Sequence, residues 1–254
     1  MSKIGSDLGT RVVVAVGLIG LAAVALWAGG LGFWLVIAAA ALLMIAEWAG
    51  LVGASPGQKR NALAAIAAPL LVMAIAPGFF ALGLLIGAFF FTGATTRNGR
   101  LAFGILYVGL PVLALLVLRG RADGLLLSFW AMALVWACDT GAYFAGRALG
   151  GPKLAPQISP NKTWAGFLGG VLAAPLFALA LHWWLDLPFA LLVGTPVLAV
   201  LAQLGDLYES HMKRQAGVKD SGDIVPGHGG VLDRLDGLVA VAPAAALIVL
   251  AFVQ

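Results

Sequence analysis

Long apolar stretches alternate with short polar breaks along almost the whole chain. Nine of them approach the roughly 20 residues a helix needs to cross a bilayer: about 12–29, 31–50, 62–77, 78–95, 101–118, 124–146, 165–185, 187–205 and 236–253. The first two meet at Gly29-Gly30 and the third and fourth at Pro77-Gly78, so each pair reads as a tight helical hairpin or a re-entrant element. The pattern predicts an all-α, polytopic integral membrane protein of about nine transmembrane helices. One stretch breaks it. Asp206 to Asp236 holds six of the eleven carboxylates (Asp206, Glu209, Asp220, Asp223, Asp233 and Asp236), interleaved with Lys213, Arg214, Lys219, Arg234, His211 and His228. Gly227, Gly229 and Gly230 surround His228, as expected where a backbone must approach a ligand closely.

Composition strengthens the membrane reading. Hydrophobic residues make up 62% of the 254, charged residues only 10%, and the mean hydropathy is +1.02. A soluble domain carries about a quarter charged residues, so that class is excluded. The net charge of +4 reflects membrane loops and gives no nucleic-acid signal. With the N-terminus in the cytoplasm, only Arg119 and Arg121 of the fifteen basic residues fall outside, as the positive-inside rule requires. The same orientation puts Asp206–Asp236 in the cytoplasm, where nucleoside triphosphate and Mg²⁺ are found. Lone Cys138 allows no internal disulfide, and no cleavable signal peptide is expected, because the first apolar run continues into a second.

Two regions follow. Residues 1–123 read as a scaffold of about five helices, whose only intramembrane acid is Glu47, near the cytoplasmic end of the second stretch. Snorkelling or a helix–helix hydrogen bond accounts for that acid, and abundant alanines suit close helix approach and a surface on which a homodimer could form. Residues 124–254 read as the catalytic region, with the polar stretch 206–236 in it.

The interleaved charges suit polyphosphate chemistry. Mg²⁺ is held by one or two carboxylates plus substrate phosphates, while Lys and Arg neutralise the oxygens that the metal does not reach. Asp233 and Asp236 are three apart and share a helix face, and Asp206 lies just past an apolar run. A plain charged loop between two spans is the alternative. Upstream, Asp139 lies inside an apolar run one turn from Tyr143. An unpaired carboxylate there costs about 2.5–3.5 kcal/mol, so it should face a polar cavity or a basic partner. Ser159-Pro160 signals a turn, and Lys162-Thr163 then stand at a helix N-terminus able to receive an anion or to serve as a simple cap.

The order of these residues is more specific than their types. Ser210-x-x-Lys213-Arg214, Lys219-Asp220 and Pro226-x-His228-Gly229-Gly230-x-x-Asp233-Arg234-x-Asp236 resemble the signature of the phosphatidate cytidylyltransferases. Asp139-x-x-Ala142-Tyr143-x-x-Gly146-Arg147 and Ser159-Pro160-x-Lys162-Thr163-Trp164 resemble two further blocks of that family. The departures are Val225, which is conservative, and Ala165, where an acid is expected; its role is then absent or supplied from elsewhere, as by Glu47 or Glu209. The resemblance implies condensation of phosphatidate with CTP to CDP-diacylglycerol and pyrophosphate. Under it, Asp206, Asp233 and Asp236 hold Mg²⁺, with a second cation left open, and Asp220 is the next candidate ligand. Lys162, Lys213, Arg214, Lys219 and Arg234 bind triphosphate or lipid phosphate. Ser159, Ser210 and His228 position phosphates, Thr163 stands beside them, and Asp139 and Tyr143 line the cavity. The implied partners are CTP, phosphatidate and membrane lipids. A polyprenol kinase, an ether-lipid CDP synthase and a transporter are the rival readings; a transporter predicts internal repeat symmetry, which is not evident here.

Overall fold

The computed structural model describes residues 3–224 and 229–253. Nine helices run through them: α1 Lys3–Ala28, α2 Gly30–Leu51, α3 Pro56–Met73, α4 Phe79–Thr96, α5 Gly99–Arg119, α6 Gly124–Leu149, α7 Trp164–Leu185, α8 Phe189–Gln215 and α9 Leu232–Phe252. Each apolar stretch becomes one helix. Seven of them, α2 and α4–α9, are long and apolar enough to cross a membrane. In α3 the first turns carry Lys59 and Arg60, which shorten its apolar run. Large apolar side chains such as Phe79, Phe80, Phe90, Trp183 and Trp184 stand exposed on the helix surfaces, as an apolar solvent permits. The chain is an all-α polytopic membrane protein.

Three local departures from the apolar pattern shape the polar residues. First, α8 runs to Gln215, past the apolar run that ends near 205. Leu207, Glu209, Met212, Lys213 and Arg214 are good helix formers, and Gly217, at a φ of 72°, turns the chain soon after the helix ends. Asp206, Ser210 and Lys213 therefore sit on a helix surface. Second, α9 starts at Leu232, which puts Asp233 in its first turn. Third, Ser159-Pro160 is not a turn but the start of a strand. Strand β1 (Lys153–Ala155) pairs antiparallel with β2 (Ser159–Thr163), with Lys153 opposite Thr163 and Ala155 opposite Ser159. Gly150 and Gly151, both at positive φ, turn the chain out of α6 into this hairpin, and Trp164 N–H donates to the Pro152 carbonyl at 3.0 Å to close it.

The chain divides into two compact units, one reaching to Leu116 and including Ala216–Leu235, the other Val117–Gln215 with Asp236 onward. In the first unit, α3 opens with a capping box between Ser55 and Gln58. Gln58 Nε2 also donates to the Thr96 carbonyl at 2.9 Å, tying the start of α3 to the end of α4. In the second unit, α6 and α7 touch backbone to backbone. A Cβ on Gly141 would lie 2.7 Å from the Gly169 carbonyl oxygen, one on Gly166 2.9 Å from that of Ala142, and one on Gly170 2.8 Å from that of Cys138. Small residues permit this approach where no hydrophobic effect drives helices together. Helix α8 is fastened to the pair by polar groups that cannot stay unmet in lipid. Trp130 Nε1 donates to Thr195 Oγ1 at 3.1 Å and Gln203 Nε2 to the Phe167 carbonyl at 2.9 Å.

Gly170→Val should lower stability by about 1–3 kcal/mol, the usual cost of overpacking, and reduce the thermal midpoint in detergent. Gly87→Ala on α4, where an added Cβ meets nothing within 4 Å, should leave the midpoint unchanged or slightly raised. Equal effects would show that the α6–α7 seam is not closely packed.

Candidate active site

Where α8 and α9 meet, glycine again brings backbones together. A Cβ on Gly205 would lie 2.7 Å from the Asp236 carbonyl oxygen, and one on Gly237 3.4 Å from that of Ala202. The crossing sets Asp206 of α8 beside Asp236 of α9, and the charged neighbours of Asp236 are Asp206, Asp139 and Lys213. Lys162, on β2, reaches the same place: its Nζ lies 2.5 Å from Asp206 Oδ2. Ser210 Oγ donates to Asp206 Oδ1 at 3.3 Å, and Asp236 Oδ1 accepts the N–H of Gly237 at 2.7 Å. The Lys162 ammonium nitrogen is buried, and beyond this ion pair its N–H groups meet no hydrogen-bond acceptor among the described residues. A buried cation with donors to spare, beside carboxylates, has the chemistry to accept an anionic oxygen together with a cation.

The other predicted residues of this unit surround that core in different states. Lys213 is paired with Glu209 at 3.0 Å, one turn away on α8, and Glu209 is completely buried. Arg214 Nε donates to the Ile158 carbonyl at 3.4 Å, which pins the hairpin carrying Ser159 to α8. Thr163 Oγ1 accepts the Gly166 N–H at 3.1 Å and so caps α7, the plainer of the two roles foreseen for it. Asp139 and Tyr143 lie on exposed positions of α6, where Arg147 Nη1 donates to the Tyr143 hydroxyl at 3.1 Å.

In the first unit two buried carboxylates hold the described residues on either side of the signature loop. Asp233 Oδ2 accepts from Ser221 N at 2.8 Å, Ser221 Oγ at 2.9 Å and Gly230 N at 2.8 Å. Glu47 of α2 accepts the Val231 N–H at 2.9 Å and the Leu232 N–H at 2.8 Å, with Ser221 Oγ at 3.3 Å. The glycines serve this arrangement. Gly229 has a φ of 83°, and a Cβ there would lie 2.8 Å from Asp233 Oδ2, while one on Gly230 would lie 2.7 Å from the Glu47 carboxyl. These two approach acids of the chain itself, where the sequence suggested approach to a ligand. Lys219, Asp220 and Arg234 are exposed, and His228 lies outside the described residues. Within either unit, the described residues gather no three His, Cys, Asp or Glu side chains able to hold an ion. Asp206 and Asp236 form a pair, whereas Asp233 commits an oxygen to its loop.

A model of the cytidylyltransferase family matches residues 9–252. The chain belongs to that family. It is 41% identical to a phosphatidate cytidylyltransferase of Brucella suis biovar 1 (strain 1330) over 93% of this chain and 91% of the relative. The protein of that name from Bacillus subtilis (strain 168) is 44% identical over 57% of this chain and 55% of its own. That from Staphylococcus epidermidis (strain ATCC 12228 / FDA PCI 1200) is 51% identical over 48% of each. This member of the cytidylyltransferase family therefore matches the Brucella relative over nearly its full length and the other two over about half.

Sequence reasoning gave Glu47 a membrane role, with the duty of the acid missing at Ala165 as an alternative, and passed over Ser221. The available signal for Glu47 was its isolation, as the one acid within the first five apolar stretches. Ser221 gave no signal, since a serine in a polar loop is ordinary.

Thr163→Val, which keeps shape and removes the capping oxygen, should cost about 1 kcal/mol of stability, and Thr163→Ser should restore it. Thermal unfolding of the purified variants measures both; equal midpoints for Val and Ser would show that the cap contributes nothing.

Proposed function

We propose that this chain is a CTP:phosphatidate cytidylyltransferase, an integral enzyme of the bacterial plasma membrane with its site facing the cytoplasm. The observation that carries this reading is the 41% identity across 93% of the chain to a relative of that name. The Lys162–Asp206–Asp236 cluster supports it chemically. The cytoplasmic orientation rests on the loop charges, with thirteen of fifteen basic residues on one side.

In this reaction an oxygen of the phosphatidate monoester attacks the α-phosphorus of CTP. A new P–O bond forms, the bond between the α- and β-phosphates breaks, and the electron pair leaves on pyrophosphate. The nucleophile is already an oxyanion near neutral pH, because the second phosphate pKa is about 6. No strong general base is required, so the work of the protein is to bring anions together and neutralise them.

Asp206 and Asp236 would hold Mg²⁺, which fits a cation bound by two carboxylates and completed by substrate phosphates. When bound it supplies charge neutralisation on the phosphate oxygens and eases departure of pyrophosphate. Lys162 donates its unmet N–H groups to a phosphate oxygen, and its pairing with Asp206 keeps the ammonium in position before substrate arrives. Ser210 orients the Asp206 carboxylate. Lys213 and Arg214, on the same helix as Asp206, add positive charge for the same anions, and Lys219 and Arg234 of the signature bind substrate phosphate. Asp233 fixes that loop through Ser221 and Gly230.

Purified protein given phosphatidate, Mg²⁺ and CTP labelled at the α-phosphate should move label into the lipid phase. Asp206→Asn and Asp236→Asn should each reduce kcat by at least about 100-fold, as expected when electrostatic stabilisation of the transition state is removed. Label reaching lipid only from the γ-phosphate would make the chain a kinase. Near-normal turnover in either variant would remove that residue from the metal site.

A further inference from the structure

We propose that Glu47 is a positioning residue for cytidylyl transfer, although it belongs to the helices that read from sequence as scaffold. The inference rests on the proposed reaction and names what holds its signature loop in place. Glu47 is 5% exposed and lies on α2, more than 170 residues before its partners. Both its carboxylate oxygens are taken by N–H or O–H donors of the loop and the start of α9: Val231 on Oε1, Leu232 and Ser221 on Oε2.

The chemistry of this contact is specific. Val231 and Leu232 supply N–H groups at the entrance to α9, where a helix has donors without intrahelical partners and favours negative charge. Glu47 meets those donors from another helix, in the place a capping side chain would take. Ser221 joins it to Asp233, which also accepts from Gly230. Glu47, Ser221 and Asp233 thus form one hydrogen-bonded set that ties Ser221 to Gly230, Val231 and Leu232. Lys219 and Asp220 lie immediately before Ser221 in the chain, and Arg234 and Asp236 follow Asp233. The space is equally specific, since a Cβ on Gly222 would lie 3.0 Å from Glu47 Oε1 and one on Gly230 2.7 Å from the Glu47 carboxyl carbon. A carboxylate that only stabilised α2 would require neither glycine.

Glu47→Gln is the discriminating variant. It keeps the shape and one acceptor oxygen, but turns the other into an NH₂ that faces backbone N–H donors. Expected are a fall in kcat of about 10–100-fold, the scale of small misplacements at a reacting centre, a KM for phosphatidate within about twofold of wild type, and an unchanged thermal midpoint. Without CTP, metal or lipid, hydrogen exchange at the Gly230, Val231 and Leu232 amides should quicken by about tenfold or more while the α6–α7 amides stay protected. Wild-type kcat in Glu47→Gln overturns the inference and leaves the reaction standing. A wild-type chain that makes no CDP-lipid overturns the reaction, and the inference with it. If Glu47→Gln does not fold, Ser221→Ala decides: a several-fold lower kcat supports the linked set, and an unchanged kcat overturns it.

Discussion

A charge drawn below the surface of a lipid-embedded protein must be answered by an opposite charge or by hydrogen bonds, because neither solvent nor lipid will answer it. The polar residues of this chain follow that constraint in three ways. Glu209 is answered by Lys213 on the same helix. Glu47 is answered by backbone N–H groups and a serine hydroxyl. Lys162 is answered by Asp206, but incompletely, since its ammonium keeps donors that meet no acceptor among the described residues. The first two are fastenings. The third has capacity left over, and leftover capacity in a buried cation is what a phosphate group can use.

Two neighbouring acids tell the same story with the sign reversed. Asp206 and Asp236 come side by side because Gly205 and Gly237 let α8 and α9 touch. Each raises the cost of the other's charge. One lysine offsets part of that cost, and a divalent cation would offset more. Glycine therefore acts in this protein less through flexibility than through absence of bulk. At the α6–α7 seam it lets backbones meet, and at Gly230 it makes room for a carboxylate. At Gly229, in left-handed backbone, a demand on φ is added to the demand for space.

The helices were legible because the period and length of apolar runs report burial in a bilayer directly; all nine stretches became helices. What hydropathy could not show was where helix outlasts apolarity. The charged end of α8 is helical because its side chains favour helix, a preference hydropathy does not measure. The hairpin between α6 and α7 was hidden for a related reason, since Ser159-Pro160 carries a turn signal and only pairing with Lys153–Ala155 makes it strand. At the site, the residue types were readable from the sequence, and the grouping of Asp206 with Asp233 and Asp236 was implied by the family resemblance. The division of labour among acids was not. Asp233 and Asp236 look equivalent in sequence, yet Asp233 is 8% exposed and turned onto Ser221 and Gly230, while Asp236 faces Asp206.

That division has a mechanical consequence for α9. Within the first unit its first turn is held by N–H bonds from Val231 and Leu232 to a carboxylate from α2. Sliding or rotating that turn would break both bonds and leave a buried carboxylate unanswered, which is costly. Glu47 thus fixes where the helix begins, from the half of the chain that carries almost no other intramembrane charge.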